Sequence, residues 1–203
     1  HYALDTWDLE YEFPFGWKEL QGLSNRTDFD LKQHMEHSKT DLSIFDEETK
    51  KKILPHVICE PSQGVERAFL VFMFDAYDYD KKRENVVLKL HPKLAPVKIG
   101  VFPLISNKAD ILKKARDVYD ELKQEWACIF DLSGSIGRRY ARADETGIYA
   151  SVTIDFESLE DNSVTIRSRD TTEQIRVKIK DLKDILRKFM DGEKLEKLGK
   201  GVQ

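Results

Sequence analysis

The chain has 203 residues, 40% of them hydrophobic, with three Trp, seven Tyr and eleven Phe. That is enough for a real core in one large domain or two small ones, and it excludes wholesale disorder. Net charge is −4, split as −5 over residues 1–96 and +1 over 97–203, so neither half is basic and indiscriminate coating of nucleic acid is disfavoured. No stretch approaches the roughly 18 apolar residues of a membrane span, and no signal-peptide pattern opens the chain. Cys59 and Cys128 stand far apart with no Cys/His cluster, which predicts two reduced, buried thiols of a cytosolic protein.

In chain order, residues 1–12 alternate loosely up to a turn at Pro14 and Gly16, and Trp17–Leu23 reads as a strand. A helix is expected over Asp28–His37, with Thr27 and Asp28 as capping oxygens. Residues 46–52, a charge run, read as solvated helix or loop. A short apolar strand, His56–Cys59, precedes Glu60-Pro61-Ser62-Gln63-Gly64. Ala68–Ala76 is apolar nearly all round, the pattern of a buried helix. Asp78–Asn85 reads as an exposed loop, and Leu94-Ala95-Pro96 as a joint between domains. Val97–Ile105 reads as a strand, followed by an Asn107-capped helix to about Trp126 and a strand over Ala127–Phe130. A Gly/Ser loop, Asp131–Gly137, leads into a helix over Arg138–Glu145. Ser151–Phe156 and Val164–Ser168 suggest a hairpin turning near Asp161-Asn162, and Asp181–Met190 an amphipathic helix. Alternating strands and helices imply an α/β layer with a mixed sheet.

Several groups of residues could carry chemistry. Glu60 and Ser62 at a strand end could hold an ammonium group, Gly64 lets a flat ligand approach the backbone, and Arg67 could pair with a phosphate or stack on a base. The plainer alternative is a strand–turn–helix with surface charges. Glu19, among apolar neighbours, could bind a metal ion or a ligand hydroxyl, and Arg26 could grip a carboxylate or simply pair at a helix entry. Ser133–Arg142 places Arg138, Arg139 and Arg142 beside a Gly/Ser loop, suited to RNA phosphate and base contact. Arg167 and Arg169 alternate on a strand and share a face. For these arginines the alternative is internal pairing with Asp144, Glu145 and Asp170. The histidines lack metal-ligand spacing, and no metal site is assigned.

These segments, in this order, resemble the glycyl-tRNA synthetases of the class II, homodimeric type. The likeness is carried by His1-Tyr2-Ala3 with Trp7-Asp8; Phe15-Gly16-Trp17-Lys18-Glu19-Leu20; Asn25-Arg26-Thr27-Asp28-Phe29-Asp30-Leu31; Glu60 through Arg67; Leu94-Ala95-Pro96-Val97-Lys98; Gly134 through Arg142; Val152-Thr153-Ile154-Asp155; and Arg167-Ser168-Arg169-Asp170-Thr171. Cys59, before Glu-Pro-Ser, departs from the family pattern.

The resemblance implies an α+β arrangement. Residues 1–93 would be the end of an antiparallel-sheet catalytic domain containing motif 3, and residues 94–203 an α/β anticodon-binding domain. It implies ATP-dependent activation of glycine and its transfer to the tRNA specific for glycine. ATP would bind with Mg2+ at Glu19, Leu20, Gly64, Val65, Glu66 and Arg67, with Arg67 as the catalytic phosphate contact. Glycine would bind at Arg26, Glu60, Pro61, Ser62, Gln63 and Gly64. Arg138, Arg139, Arg142, Arg167 and Arg169 are the tRNA candidates. The family is cytoplasmic and homodimeric in full length. Its motifs 1 and 2 would precede His1, so the chain is expected to be a fragment that is inactive alone. The alternative is a non-catalytic paralogue that binds nucleic acid or protein.

Overall fold

The computed structural model describes residues 2–202, and it divides into two compact units, residues 1–74 and 75–203. In the first, β1 (Asp5–Phe13) and β2 (Gly16–Asn25) form a hairpin closed by Pro14 and Phe15. Gly16 takes φ +102°, the left-handed region open to glycine. α1 (Phe29–Ser38) follows. The expected cap is not made: the Asp28 carboxylate makes no capping bond to the helix N–H groups and instead pairs with Lys32 at 2.7 Å, one turn on.

The charge run is a second hairpin rather than a helix or loop, made of β3 (Ile44–Asp46) and β4 (Lys51–Ile53). Its turn is built by Asp46, which accepts the backbone N–H groups of Glu48 and Thr49. Three-residue strands are too short to show a period. The strand expected at His56–Cys59 is reduced to one bridge, Val57 to Thr27, and the true strand, β5 (Glu60–Gln63), begins where the expected one ends and pairs antiparallel with β2. β5 is exposed rather than buried. α2 (Val65–Ala76) begins three residues earlier than expected and, contrary to the all-round apolar reading, buries only Val71 and Ala76, while Phe69 stays 64% exposed.

The second unit opens with another hairpin where an exposed loop was expected, β6 (Tyr77–Asp80) and β7 (Asn85–Leu88). Asp80 accepts the N–H groups of Lys82 and Arg83 to turn the chain. Next come β8 (Ile99–Pro103), α3 (Ala109–Leu122), β9 (Cys128–Phe130), α4 (Ile136–Glu145), β10 (Ala150–Ile154), α5 (Phe156–Asp161), β11 (Ser163–Ser168), β12 (Gln174–Lys178), α6 (Leu182–Met190) and β13 (Lys200–Gly201). The six-stranded sheet runs β13-β12-β11-β10-β8-β9; β8 is parallel to β9 and β10, and the other pairs are antiparallel. The mixed sheet is therefore as expected. Two of its strands, β12 and β13, were not anticipated, because polar residues break their apolar alternation. The turn between β10 and β11 is a short helix, α5, and α3 starts after Lys108 with no side-chain cap from Asn107.

Both faces of this sheet are covered. Ile99, Val101, Val152, Ile154 and Ile166 pack with Ile111, Val118 and Leu122 of α3 and Leu186 and Phe189 of α6. On the other face Phe102 packs with Ala143 and Ile148 at the end of α4. Strand alternation sends Val101 and Phe102 to opposite layers. Among the described residues no helix is long and apolar enough to cross a membrane.

Candidate functional site

The site in the first unit is made by an irregularity in a regular hairpin. Leu9 pairs with Gln21 and Glu10 with Glu19, so Leu20 is an extra residue on β2, a β-bulge. Without it, Glu19 would point away from Gly22, three positions on. With it, Glu19 returns to the Gly22 face: a Cβ placed on Gly22 would lie 3.9 Å from Glu19 Oε1 and 3.6 Å from Asp8 Oδ1. Across the sheet, Gly22 pairs with Ser62 and Ser24 with Glu60. Residues two apart share a face, so Glu60 and Ser62 lie together, and Pro61 and Gln63 lie on the opposite face.

Arg67, in the first turn of α2, reaches back and donates from Nη1 to the Glu19 carbonyl at 2.5 Å. Glu19, Leu20, Ser62, Gly64, Glu66, Arg67 and Leu70 line an open cavity of about 560 Å3. A side chain on Gly64 would meet only Arg67 Cβ, at 3.7 Å, which leaves the backbone there accessible. Val65 points outward and is exposed.

Arg26 lies at the other end of β5. It holds Asp30 through two hydrogen bonds of 2.7 and 2.6 Å, and its Nε is 3.4 Å from Glu60. Its guanidinium also covers the Tyr2 ring at 4.6 Å. The bond to Asp30 raises the already high pKa of Arg26 and lowers that of the carboxylate, so the fork is a fixed cation beside Glu60. Among the described residues no three His, Cys, Asp or Glu side chains converge to hold a metal ion. Cys59 is exposed, not buried as expected, while Cys128 is half-buried, and burial pushes its thiol up to about 11.

In the second unit the candidate arginines separate. Arg139 is 2% exposed and donates to the carbonyls of Pro103, Leu104, Asp131 and Gly134. Arg167 makes a bidentate pair with Asp144 at 2.7 and 2.9 Å, beneath the Tyr140 ring. Arg169 is buried and donates to Gly147, Leu90 and Asp170. All three are buried; Arg167 and Arg169 show the internal carboxylate pairing weighed above, while Arg139 is held by main-chain carbonyls instead and keeps a buried Nε with no hydrogen-bond partner among the described residues. Arg142 is partly exposed but engaged with Asp131 and Ser133. Of the five, Arg138 alone is exposed and makes no ion pair among the described residues.

Residues 98–189 match the family described as anticodon binding domain. The chain is 51% identical over 185 residues to the glycine–tRNA ligase of Acetivibrio thermocellus, covering 90% of this chain and 39% of that protein. It is 52% identical over 185 residues to the one of Ruminiclostridium cellulolyticum, with the same coverage. It is 48% identical over 202 residues to that of Thermobifida fusca, covering 95% of this chain and 43% of the relative. The chain is a homologue of the C-terminal part of glycine–tRNA ligase. It spans about two fifths of the length of the relatives it matches. Within this ligase-like chain, sequence reading missed Asp8, Gly22 and the bulge at Leu20, since the register that brings them to Ser62 is set by pairing partners. It also missed Arg83, which donates to Asp144 and to the Arg169 and Asp170 carbonyls, and so ties the β6–β7 hairpin into the second unit.

Proposed function

We propose that the chain works as the C-terminal part of a glycine–tRNA ligase, which activates glycine with ATP and transfers it to the tRNA specific for glycine. The observation that carries this reading is the bulge-directed face on which Glu19, Gly22, Glu60 and Ser62 meet, with Arg26 at one end and Arg67 at the other. Glu60 and Ser62 offer a carboxylate and a hydroxyl to the glycine ammonium, and Arg26 offers its guanidinium to the carboxylate. Arg67 and the accessible backbone at Gly64 suit ATP phosphate and a flat base, with Glu19, Leu20, Val65 and Glu66 around them. Pro61 and Gln63 set the strand that aims Glu60 and Ser62. A pocket of this kind selects glycine by crowding out any larger side chain.

Magnesium would enter as the counter-ion of the ATP phosphates; among the described residues no three His, Cys, Asp or Glu side chains converge to hold it. In this reading residues 1–93 close the catalytic domain and 94–203 form the anticodon-binding domain of a cytoplasmic, homodimeric enzyme, although the β6–β7 hairpin packs with the latter. The 203 residues alone are expected not to charge tRNA, because the segments of the relatives beyond the matched two fifths would supply the rest of the ATP site. Filter binding of the chain to the tRNA specific for glycine and to an unrelated tRNA, at two salt concentrations, tests the reading. The cognate tRNA should bind more tightly and lose less of that preference as salt rises. Equal binding of both would overturn it.

A further inference from the structure

We infer that Asp30 is a positioning residue of the glycine site: it holds one edge of the Arg26 guanidinium, which leaves the tip of that fork to the ligand carboxylate and Glu60 to the ammonium. This rests on the proposed ligase reading and deepens it, since it says what decides the way Arg26 faces. The main chain of both site residues is pinned. Arg26 N–H donates to the Val57 carbonyl at 2.8 Å, and Val57 N–H donates back to the Thr27 carbonyl at 2.7 Å. Just beyond Val57, Glu60 pairs with Ser24 across the sheet. Arg26 and Glu60 are therefore tied together on both sides by backbone pairing, and the variable left is the direction of the arginine side chain.

A strained turn sets that direction. Thr27 takes φ +53°, in the left-handed region that a β-branched residue seldom enters. Strain of this kind persists where the surrounding structure over-determines it, and it gathers at functional sites. Here it turns the chain after β2, so that α1 starts at Phe29, whose N–H donates to the Arg26 carbonyl at 3.2 Å. Asp30 then stands on the first turn of α1 and meets Arg26. Its Oδ2 accepts from Nε at 2.7 Å and its Oδ1 from Nη2 at 2.6 Å. The Tyr2 ring lies beneath the same group, with its centroid 4.6 Å from Cζ.

The donors can be counted. A guanidinium has one N–H on Nε and two on each Nη. Asp30 takes the Nε hydrogen and one of Nη2. The remaining hydrogens include the parallel Nη1 and Nη2 pair at the tip of the fork, the geometry that matches a carboxylate. Glu60 is the competitor for the edge that Asp30 holds, with its Oε2 3.4 Å from Nε. Asp30 is closer and takes two donors, so the half-exposed Glu60 carboxylate stays available to an ammonium group. Without a carboxylate at position 30, Arg26 and Glu60 would close on each other as a bidentate pair. Each would then be withdrawn from the ligand group it serves. An amide there has this effect, because its one oxygen cannot serve both donors and its NH2 opposes the second.

The test uses the intact ligase of which this chain is the C-terminal part, read by glycine-dependent exchange of labelled pyrophosphate into ATP. D30N should raise KM for glycine about ten-fold, with kcat and KM for ATP within about two-fold of the parent. D30E keeps the charge on the same helix face and should stay within about three-fold. In an R26A background D30N should add nothing, because Asp30 acts through Arg26. Equal KM for glycine in parent and D30N overturns the inference, and so does a further rise when D30N is added to R26A. A loss in D30N spread over kcat and both KM values assigns Asp30 to general structure and overturns it as well. In each of these cases a parent that exchanges pyrophosphate leaves the ligase reading standing. A parent that exchanges none with glycine overturns that reading and this inference with it.

Discussion

Asp144 shows how little of a charged residue's role is visible in its neighbours along the chain. It is buried, takes both guanidinium nitrogens of Arg167, and is also reached by Arg83 at 3.2 Å. These partners are 23 and 61 residues away, so spacing alone could not separate a ligand-facing arginine from a structural one. The residues of the clusters were legible, and their direction was not. Removing the carboxylate strands a buried cation, and D144A should cost about 3–5 kcal/mol in urea unfolding. R138A, at the surface, should stay within about 0.5 kcal/mol of the parent. Equal destabilisation of the two would contradict the division drawn between them. The cysteines offer a second check at this scale. Cys59 is exposed and Cys128 carries a thiol raised by burial, so iodoacetamide at pH 8 should label Cys59 well before Cys128, read by peptide mass spectrometry.

At the scale of elements, long apolar periods were readable and short polar ones were not. α3 and α6 place Ile111, Val118, Leu182 and Leu186 inward at helical spacing, and both were anticipated from that spacing. The hairpins of β3–β4 and β6–β7 are built by aspartate-capped turns, and the decisive bulge at Leu20 leaves no periodic trace. Gly100 is a further feature set by packing: a Cβ there would collide with the Cζ edge of the fully buried Phe102 ring. G100A should therefore destabilise by about 1–3 kcal/mol, measured by thermal melting.

The link between α5 and β11 makes a pH prediction. Ser163 hydrogen-bonds Asp161, aided by Lys178 and opposed by desolvation, and the carboxyl is lowered to about 2. A carboxylate with a depressed folded pKa contributes stability that is complete above its unfolded value of about 4 and is lost as pH falls through the folded one. The melting temperature should thus drop between pH 5 and pH 2.5. S163A, which removes the hydroxyl donor, should narrow that drop; an unchanged drop would rule out the bond as its source.

The two units of the whole molecule differ in what they bury. The second holds continuous cores on both faces of its sheet. In the first, among the described residues, only Phe13 and Val71 are buried apolar side chains, while Leu4, Trp7, Trp17, Ile58, Val65 and Phe69 are all at least 60% exposed. A three-stranded sheet with so little covered surface cannot offset much of the chain entropy lost on ordering it. This is the expected state for residues that, in relatives more than twice as long, belong to a larger whole. Native-state hydrogen exchange should therefore resolve two classes in the isolated chain. Amides of β8, β10 and β11 should exchange only near the global unfolding free energy, and those of β1 and β2 through opening at far lower cost. Low denaturant should release the second class first, with little change in the first. Protection of β2 equal to that of β10 at every denaturant concentration would mean that the first unit is stabilised by something other than its own core.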